Sequence, residues 1–202
     1  MKVAFDLDNV ILQYDMTSAI EKVTGVGILE EHIWCFDFSE CLGVAQDKSL
    51  EIIYTMYDSA KVSEGCLEVL RWLRSRGHEV IIYTSRCKFQ TRKGVAIILD
   101  ELCIPYDTLI SAELPLPKVD YFVDDYVPKL VNSSHKARKS LLYSQPWNLQ
   151  CLNVNSLFKR VNGWKEILRE LKHGEKTTKR VTRQYQSVSD VLNERKERRL
   201  RK

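Results

Sequence analysis

Two aspartates interrupt the apolar run VAFDLDNVIL at residues 3–12. The run is typical of a buried strand, and residues i and i+2 of a strand point to the same face, so we expect Asp6 and Asp8 to lie side by side. Two carboxylates that lie side by side repel each other and resist burial. Because a cation or a shared proton usually compensates such a pair, the segment predicts a metal site or an acid–base pair.

Two further apolar runs also end in polar residues. Thr84 and Ser85 follow EVIIY, and Asp124 and Asp125 close DYFVDD. Strands that alternate with helices indicate a parallel sheet with helices on both faces. Sheets of this kind bind ligands beyond the carboxyl ends of their strands. The sequence therefore predicts that these four residues gather with the two aspartates of the first strand at one edge.

Hydrophobic periodicity gives the remaining elements. Residues 15–62 are predicted to form short helices without a strand. Further helices are predicted over 63–77, 91–104, 127–139 and 163–174, and further strands over 79–84, 107–110, 120–125 and 140–144.

Length and composition exclude several classes of protein. The chain has 202 residues, of which 44% are hydrophobic, enough for one core with a small accessory domain. No apolar run approaches a membrane span and no signal-peptide pattern is present, so we expect a cytoplasmic protein without a membrane partner. The six cysteines form no CxxC pair, which argues against a disulfide framework or a zinc site.

The net charge of +4 is unevenly distributed. Residues 172–202 contain 11 Lys and Arg against 4 Asp and Glu, a local +7, so the remaining 171 residues carry −3. Lysines and arginines displace counterions from phosphates, so this tail permits a contact with nucleic acid. A solvated helix with a charged end explains the same composition. The sequence leaves homo-oligomer formation open.

Four segments resemble the motifs of one known superfamily. FDLDNVI resembles the first motif of the haloacid dehalogenase superfamily of phosphatases, VIIYTS the second, Lys118 the third and YFVDD the fourth, all in the expected order. Within that superfamily, IIYTSR, PKVDYFVDD, LLYSQPWN and FKRVNGWKEI are similar to the 5′(3′)-deoxyribonucleotidase family and to the bacterial and phage nucleotidases related to it. The resemblance covers about residues 1–172.

The resemblance implies a fold and a domain organisation. The fold is α/β and Rossmann-like, with a parallel sheet flanked by helices and a small helical cap inserted after the first strand. Residues 1–14 and 63–172 would form the core domain and residues 15–62 the cap. The basic tail at 173–202 lies outside the resemblance, and we expect it to be helical or partly disordered.

The resemblance also implies a catalytic pair. Asp6 would attack phosphorus and form an aspartyl-phosphate, while Asp8 would protonate the leaving alkoxide and later activate water. Breaking a carbon–halogen bond releases halide, which needs no proton. The presence of Asp8 therefore favours phosphate chemistry over dehalogenation.

Phosphate and metal ligands follow from the same motifs. Thr84, Ser85, Arg86 and Lys118 are expected to bind the phosphate group. The expected cofactor is Mg²⁺, which prefers oxygen ligands. Its expected ligands are Asp6, the backbone carbonyl of Asp8, Asp124 and Asp125; which of the last two binds directly is left open.

The expected substrate is a small phosphate ester, namely a nucleoside monophosphate and within that class a deoxyribonucleotide. Aromatic residues of the cap, Trp34, Phe36 and Phe38 among them, would stack on the base or form the core of the cap. One alternative is a polynucleotide 3′-end phosphatase that holds nucleic acid with the basic tail. Another is a nucleic-acid-binding or partner-docking module with an inactive phosphatase fold. The base, the sugar and the 5′ or 3′ position stay open.

Overall fold

The computed structural model describes residues 1–33, 37–151 and 157–176. Within these residues the strands are β1 (Lys2–Phe5), β2 (Leu12–Gln13), β3 (Lys61–Val62), β4 (Glu79–Thr84), β5 (Thr108–Ser111), β6 (Val119–Asp124), β7 (Ala137–Tyr143) and β8 (Lys159–Val161). Six of them form one sheet in the order β5-β4-β1-β6-β7-β8. Every pairing in this sheet is parallel.

The helices connect these strands. They are α1 (Met16–Thr24), α2 (Phe38–Leu42), α3 (Gln46–Tyr57), α4 (Cys66–Ser75), α5 (Arg92–Glu101), α6 (Val127–Asn132) and α7 (164–176). A parallel sheet with helices between its strands is the predicted Rossmann-like α/β fold, and that prediction is confirmed. From residue 166 the chain belongs to a second compact unit, which is helical over 166–176. None of the described helices combines the length and hydropathy needed to cross a bilayer.

The central strand β1 sets the position of the site. Val3, Ala4 and Phe5 are fully buried, as expected for a strand covered on both faces. Phe5 lies in register with Ile82 of β4 and with Val123 of β6. The residues that follow these three strands therefore meet at one edge of the sheet, as the sequence predicted.

The helices α1, α2 and α3, called here the cap helices, lie in the chain between β2 and β3. These two strands pair antiparallel, with Leu12 opposite Val62 and Gln13 opposite Lys61. The chain thus leaves the sheet and returns to it through neighbouring segments. The sequence predicted no strand here, since two-residue strands show no periodicity.

The cap helices have their own apolar cluster. It contains the buried residues Met16, Ala19, Ile20, Ile33, Phe38, Ile52, Ile53 and Met56. Phe38 is fully buried in this cluster, which favours the alternative of a core residue of the cap over a contact with the substrate. Trp34 and Phe36 lie outside the described residues.

Two other elements differ from the sequence analysis. The helix expected over 127–139 ends at Asn132, and β7 begins at Ala137, where pairing with Val119 of β6 extends the sheet. Strand β8 was not predicted because its three residues include two cations. Sheet pairing has overridden the local pattern in both places.

Replacing Phe38 with alanine tests its structural role. We expect Phe38→Ala to lower the free energy of unfolding by about 3–5 kcal/mol, because a buried aromatic side chain leaves a cavity. Urea denaturation followed by circular dichroism measures the change. The matched control is Phe89→Ala, which changes a half-exposed side chain and costs less than about 1 kcal/mol. An unchanged stability for Phe38→Ala would contradict its place in the core.

Candidate active site

Three buried carboxylates form the centre of the site. Asp6 follows β1, Asp124 ends β6, and Asp125 comes next in the chain. The Asp6 amide donates to the Val123 carbonyl at 2.9 Å, which continues the ladder between the two strands to the site itself. One oxygen from each of the three carboxylates lies within 4.8 Å of the others.

A lysine from the next helix lies among these acids. Lys129 Nζ is 2.7 Å from Asp6 Oδ1 and 2.8 Å from Asp124 Oδ2, and it donates to the Tyr83 carbonyl at 3.3 Å. It belongs to the first turn of α6, where Pro128 fixes the start of the helix. Three carboxylates thus face one ammonium, so two negative charges remain when all the groups are ionised.

Burial and mutual repulsion shift the protonation of the cluster. Burial raises the pKa of Asp6 to about 8; the carboxylates of Asp124 and Asp8 add to the rise, and Lys129 opposes it. The pKa values of Asp124 and Asp125 are also raised, chiefly by burial. For Lys129, burial alone would lower the pKa, but Asp124 and Asp6 raise it above its ordinary value. The lysine therefore stays charged while the acids tend to hold protons.

Lys118, the predicted phosphate ligand, is not part of this cluster. It directly precedes β6, whereas Asp124 ends the same strand. The two residues therefore lie at opposite ends of the same strand, about 20 Å apart. The structure therefore does not bring Lys118, the expected phosphate ligand, to the cluster, and the ammonium found there is that of Lys129.

The second aspartate of the first motif has different partners. Arg86 Nε donates to Asp8 Oδ1 at 3.0 Å, and Arg86 Nη2 lies 2.5 Å from the same oxygen. The Tyr14 hydroxyl also donates to Asp8 Oδ1. Although burial alone would lower the pKa of Arg86, Asp8 raises it, so the guanidinium keeps its charge. The structure thus brings Arg86 to the site but binds it to a carboxylate.

The end of β4 provides the other predicted phosphate ligands. Thr84 is fully buried, and its hydroxyl oxygen accepts a hydrogen bond from the Arg86 amide at 3.0 Å, which caps the short 3-10 helix Ser85–Lys88. Ser85 lines the cleft described below. Both residues lie at the predicted edge.

Asp125 is held from the turn after β7. Trp147 Nε1 donates to Asp125 Oδ2 at 3.0 Å, and Asn148 Nδ2 donates to the Asp125 carbonyl at 2.8 Å. The sequence analysis did not assign a role to either donor. The polar turn that follows β7 at the same sheet edge is the signal that points to them.

A cleft of about 410 Å³ opens above these groups. Its floor includes Asp6, Asp8, Asp125 and Lys129. The cap helices and the segment before α2 line one side with Asp37, Glu40, Gln46, Ser49, Leu50, Ile53 and Tyr57. The loops after the strands supply Asn9, Arg86, Lys88, Phe89, Tyr126 and Trp147.

The acidic cluster fits a magnesium ion. Its donors are carboxylate oxygens, the ligands that Mg²⁺ prefers, and the uncompensated charge of two matches a divalent cation. Asp124 Oδ2 forms an ion pair with Lys129, yet no donor in the described parts of the chain meets it with hydrogen-bond geometry. A buried carboxylate oxygen without such a bond is costly unless a ligand satisfies it.

Comparisons with known proteins agree on the fold. No protein-family model and no curated protein matches the chain. Among solved structures, a predicted phosphatase from Clostridium acetobutylicum matches with a TM-score of 0.58 at 16% identity, over 85% of this chain and 98% of that one. A predicted phosphoglycolate phosphatase from Haemophilus somnus 129pt matches with a TM-score of 0.58 at 12% identity, over 84% and 96%. A haloacid dehalogenase-like hydrolase from Streptococcus pneumoniae matches with a TM-score of 0.56 at 13% identity, over 84% and 97%.

The ammonium of Lys129 should be needed for stability when no divalent cation is present. We expect Lys129→Met to lower the free energy of unfolding in EDTA by about 3 kcal/mol, because it leaves three buried carboxylates without their cation. Denaturant melts at neutral pH measure this change. Lys118→Met, at an exposed position, is the control and should change the stability by less than about 0.5 kcal/mol. Equal effects of the two substitutions would contradict the assignment.

The raised carboxyl pKa values predict a stability that falls as pH rises. The Asp6 pKa is about 8 in the fold against an ordinary value of 3.8, so between these values the folded chain holds a proton that the unfolded chain has released. In EDTA, the melting temperature should therefore fall from about pH 5 to about pH 8, and excess Mg²⁺ should offset part of the loss. Lys129 stays charged throughout this range. A melting temperature that rises over the same interval would contradict the prediction, and Asp6→Asn should flatten the slope.

Proposed function

We propose that this protein is a Mg²⁺-dependent phosphomonoesterase that hydrolyses nucleoside monophosphates through an aspartyl-phosphate on Asp6. The observation that carries the proposal is the grouping of Asp6, Asp124, Asp125 and Lys129. All of these except the fully buried Asp124 line the cleft, together with Asp8. The similarity to solved structures described as phosphatases supports the fold on which this chemistry depends.

The proposed reaction has two steps. In the first, an Asp6 carboxylate oxygen forms a bond to phosphorus while the bond to the leaving oxygen breaks, and Asp8 gives that oxygen a proton. In the second, water attacks the aspartyl-phosphate, Asp8 takes a proton from the water, and inorganic phosphate leaves with Asp6 restored. Dividing one difficult displacement into two easier ones is the benefit of a covalent intermediate.

The residues that would hold Mg²⁺ are Asp6, Asp124 and Asp125, together with the backbone carbonyl of Asp8. When bound, the ion offsets the repulsion between an attacking carboxylate and a phosphate dianion. Lys129 places a second positive charge beside the metal site, where it stabilises negative charge on the phosphoryl oxygens. Lys129 thus takes the role that the sequence analysis gave to Lys118.

The phosphate ligands expected after β4 remain part of the proposal. Thr84 and Ser85 lie at the edge where the phosphate would bind, and the hydroxyl of Thr84 still has its own proton to donate. Arg86 reaches the phosphate only if its guanidinium shares its donors between Asp8 and the substrate.

The cleft favours a leaving group with hydrogen-bond donors and a flat apolar face. Phe89 and Tyr126 line it and are 40% and 53% exposed, so their rings are available for stacking on a base. Asp37 and Glu40 line the cap side, where carboxylates accept hydrogen bonds from amino or hydroxyl groups and repel a second anion. A nucleoside has both features, whereas phosphoglycolate carries a carboxylate in place of the base.

The basic tail supports a second candidate, a polynucleotide 3′-end phosphatase. Its local charge of +7 would attract several phosphates of a polymer. Polymer turnover should then weaken steeply as salt rises, while turnover of a mononucleotide changes little.

A substrate panel tests the proposal. Phosphate release is measured for ribo- and deoxyribonucleoside 5′- and 3′-monophosphates, phosphoglycolate and a 3′-phosphorylated oligonucleotide, each with Mg²⁺ and with EDTA. We expect a mononucleotide to give the highest kcat/KM, and EDTA to abolish release. Asp6→Asn should lower kcat by about 10³-fold or more, because the nucleophile is lost.

Lys118→Met is the control for this panel and should retain the activity of the wild type. Absence of turnover for every substrate, or an active Asp6→Asn variant, would refute the proposal. A preference for the oligonucleotide would establish the second candidate, and a preference for phosphoglycolate would exclude the nucleotide substrate.

A further inference from the structure

One arginine links the cap helices to Asp8. The Arg86 guanidinium carbon lies 3.9 Å from the centre of the Tyr57 ring, and Tyr57 is the last residue of α3. Arg86 is 1% exposed. A guanidinium stacked this closely on a tyrosine face is held in position by the cation–π attraction as well as by packing. The cap thus contacts the proposed general acid through this buried arginine. Tyr14, whose ring centre lies 5.9 Å from that of Tyr57 and whose hydroxyl donates to Asp8, provides a second contact.

The contacts on the Asp8 carboxylate are unequal. Oδ1 accepts from the Tyr14 hydroxyl, from Arg86 Nη2 at 2.5 Å and from Arg86 Nε at 3.0 Å. Among the described residues, Oδ2 has only a long contact of 3.4 Å, with Arg86 Nε. Three donors therefore converge on one oxygen and leave the other nearly free.

This asymmetry is compatible with a proton on Oδ2. A neutral carboxylic acid has one carbonyl oxygen, which accepts hydrogen bonds, and one hydroxyl oxygen, which donates. The donors of Arg86 and Tyr14 can stay on Oδ1 whether Asp8 is ionised or neutral, provided that the proton sits on Oδ2. Asp8 can then give up and regain its proton without breaking its contacts with Arg86.

We propose that Tyr57 is a positioning residue for the general acid, and that the cap helices complete the acid by clamping Arg86 against Asp8 Oδ1. The Tyr57 ring fixes the guanidinium, the guanidinium fixes the carboxylate, and Oδ2 is left to protonate the leaving oxygen. The inference rests on the proposed phosphomonoesterase function and adds a residue from the cap to it.

Two substrates with different leaving groups distinguish this role of Tyr57 from a general loss of structure. A nucleoside alkoxide needs a proton as it departs, whereas p-nitrophenolate is a stable anion at neutral pH and needs none. Loss of the positioned acid should therefore slow phosphate transfer from thymidine 5′-monophosphate to Asp6 and spare transfer from p-nitrophenyl phosphate. Both substrates give the same aspartyl-phosphate, so kcat/KM, which reports the transfer alone, excludes the later step in which Asp8 takes a proton from water. Damage to the nucleophile, the metal site or the fold would slow both.

The experiment compares Tyr57→Leu and Tyr57→Phe with both substrates and saturating Mg²⁺. We expect Tyr57→Leu to lower kcat/KM for thymidine 5′-monophosphate by about 10–100-fold, and kcat/KM for p-nitrophenyl phosphate by less than about threefold. Tyr57→Phe should rescue the nucleotide reaction, because it keeps the ring and loses only the hydroxyl. Thermal melts of both variants in EDTA report the stability of the fold separately from activity.

A double-substitution cycle with Asp8→Asn adds an independent readout. If Tyr57 acts through Asp8, Tyr57→Leu should have no further effect on nucleotide turnover once the carboxyl group has been removed. Full additivity of the two substitutions would overturn the proposal. So would an equal loss with both substrates, or a change in KM alone, which would make Tyr57 a substrate-binding residue.

The activity of the wild type distinguishes failure of the proposed phosphatase function from failure of the role proposed for Tyr57. Absence of phosphate release by the wild type from every nucleoside monophosphate of the panel above would overturn the proposed nucleotide phosphatase and this inference with it. Where another nucleotide of that panel gives a higher kcat/KM, it replaces thymidine 5′-monophosphate in the comparison. Hydrolysis of both by the wild type, with equal losses in Tyr57→Leu, would overturn this inference and leave the proposed function standing.

Discussion

The ion pairs of one buried ammonium with the surrounding carboxylates are the interaction on which the site depends. Lys129 contacts Asp6 and Asp124 directly, and Asp125 adds a third buried acid to the same cluster. Strand β1 supplies the first acid, β6 the other two and α6 the lysine, so the ends of three elements must coincide to within a hydrogen-bond length. Such a cluster is a poor way to stabilise a fold, since desolvated like charges repel. It is suited to a site that receives a divalent cation, because the repulsion that costs stability also favours cation binding.

The arrangement at the sheet edge was predictable from the sequence because it follows from strand direction. In a wholly parallel sheet, residues that end successive strands share an edge, which places Asp6, Thr84 and Asp124 together without knowledge of any side-chain contact. The same rule excludes Lys118, which precedes its strand, and favours a lysine in the first turn of the helix after it. Matching by motif order selected Lys118, whereas strand polarity favours Lys129.

The contacts that complete the site could not be predicted, because they join segments far apart in the chain. Asp8 and Arg86 are 78 residues apart, and Trp147 reaches Asp125 across 22 residues. These contacts depend on how the cap helices and the turn after β7 are oriented, and hydrophobic periodicity does not specify orientation. The start of β7 was missed for a related reason. Its polar first residues resemble a helix, and only pairing with β6 makes them a strand.

The paired strands β2 and β3 have a consequence for how such a protein can diversify. Because the chain leaves and re-enters the sheet side by side, the ends of the inserted segment are already joined by backbone hydrogen bonds. The number and length of the helices between them place no strain on the sheet. Lineages with this topology can therefore exchange or enlarge the insert while the acids at the sheet edge keep their positions. The β2–β3 pair keeps the two ends of the insert in place, so substrate range can evolve separately from the reaction chemistry.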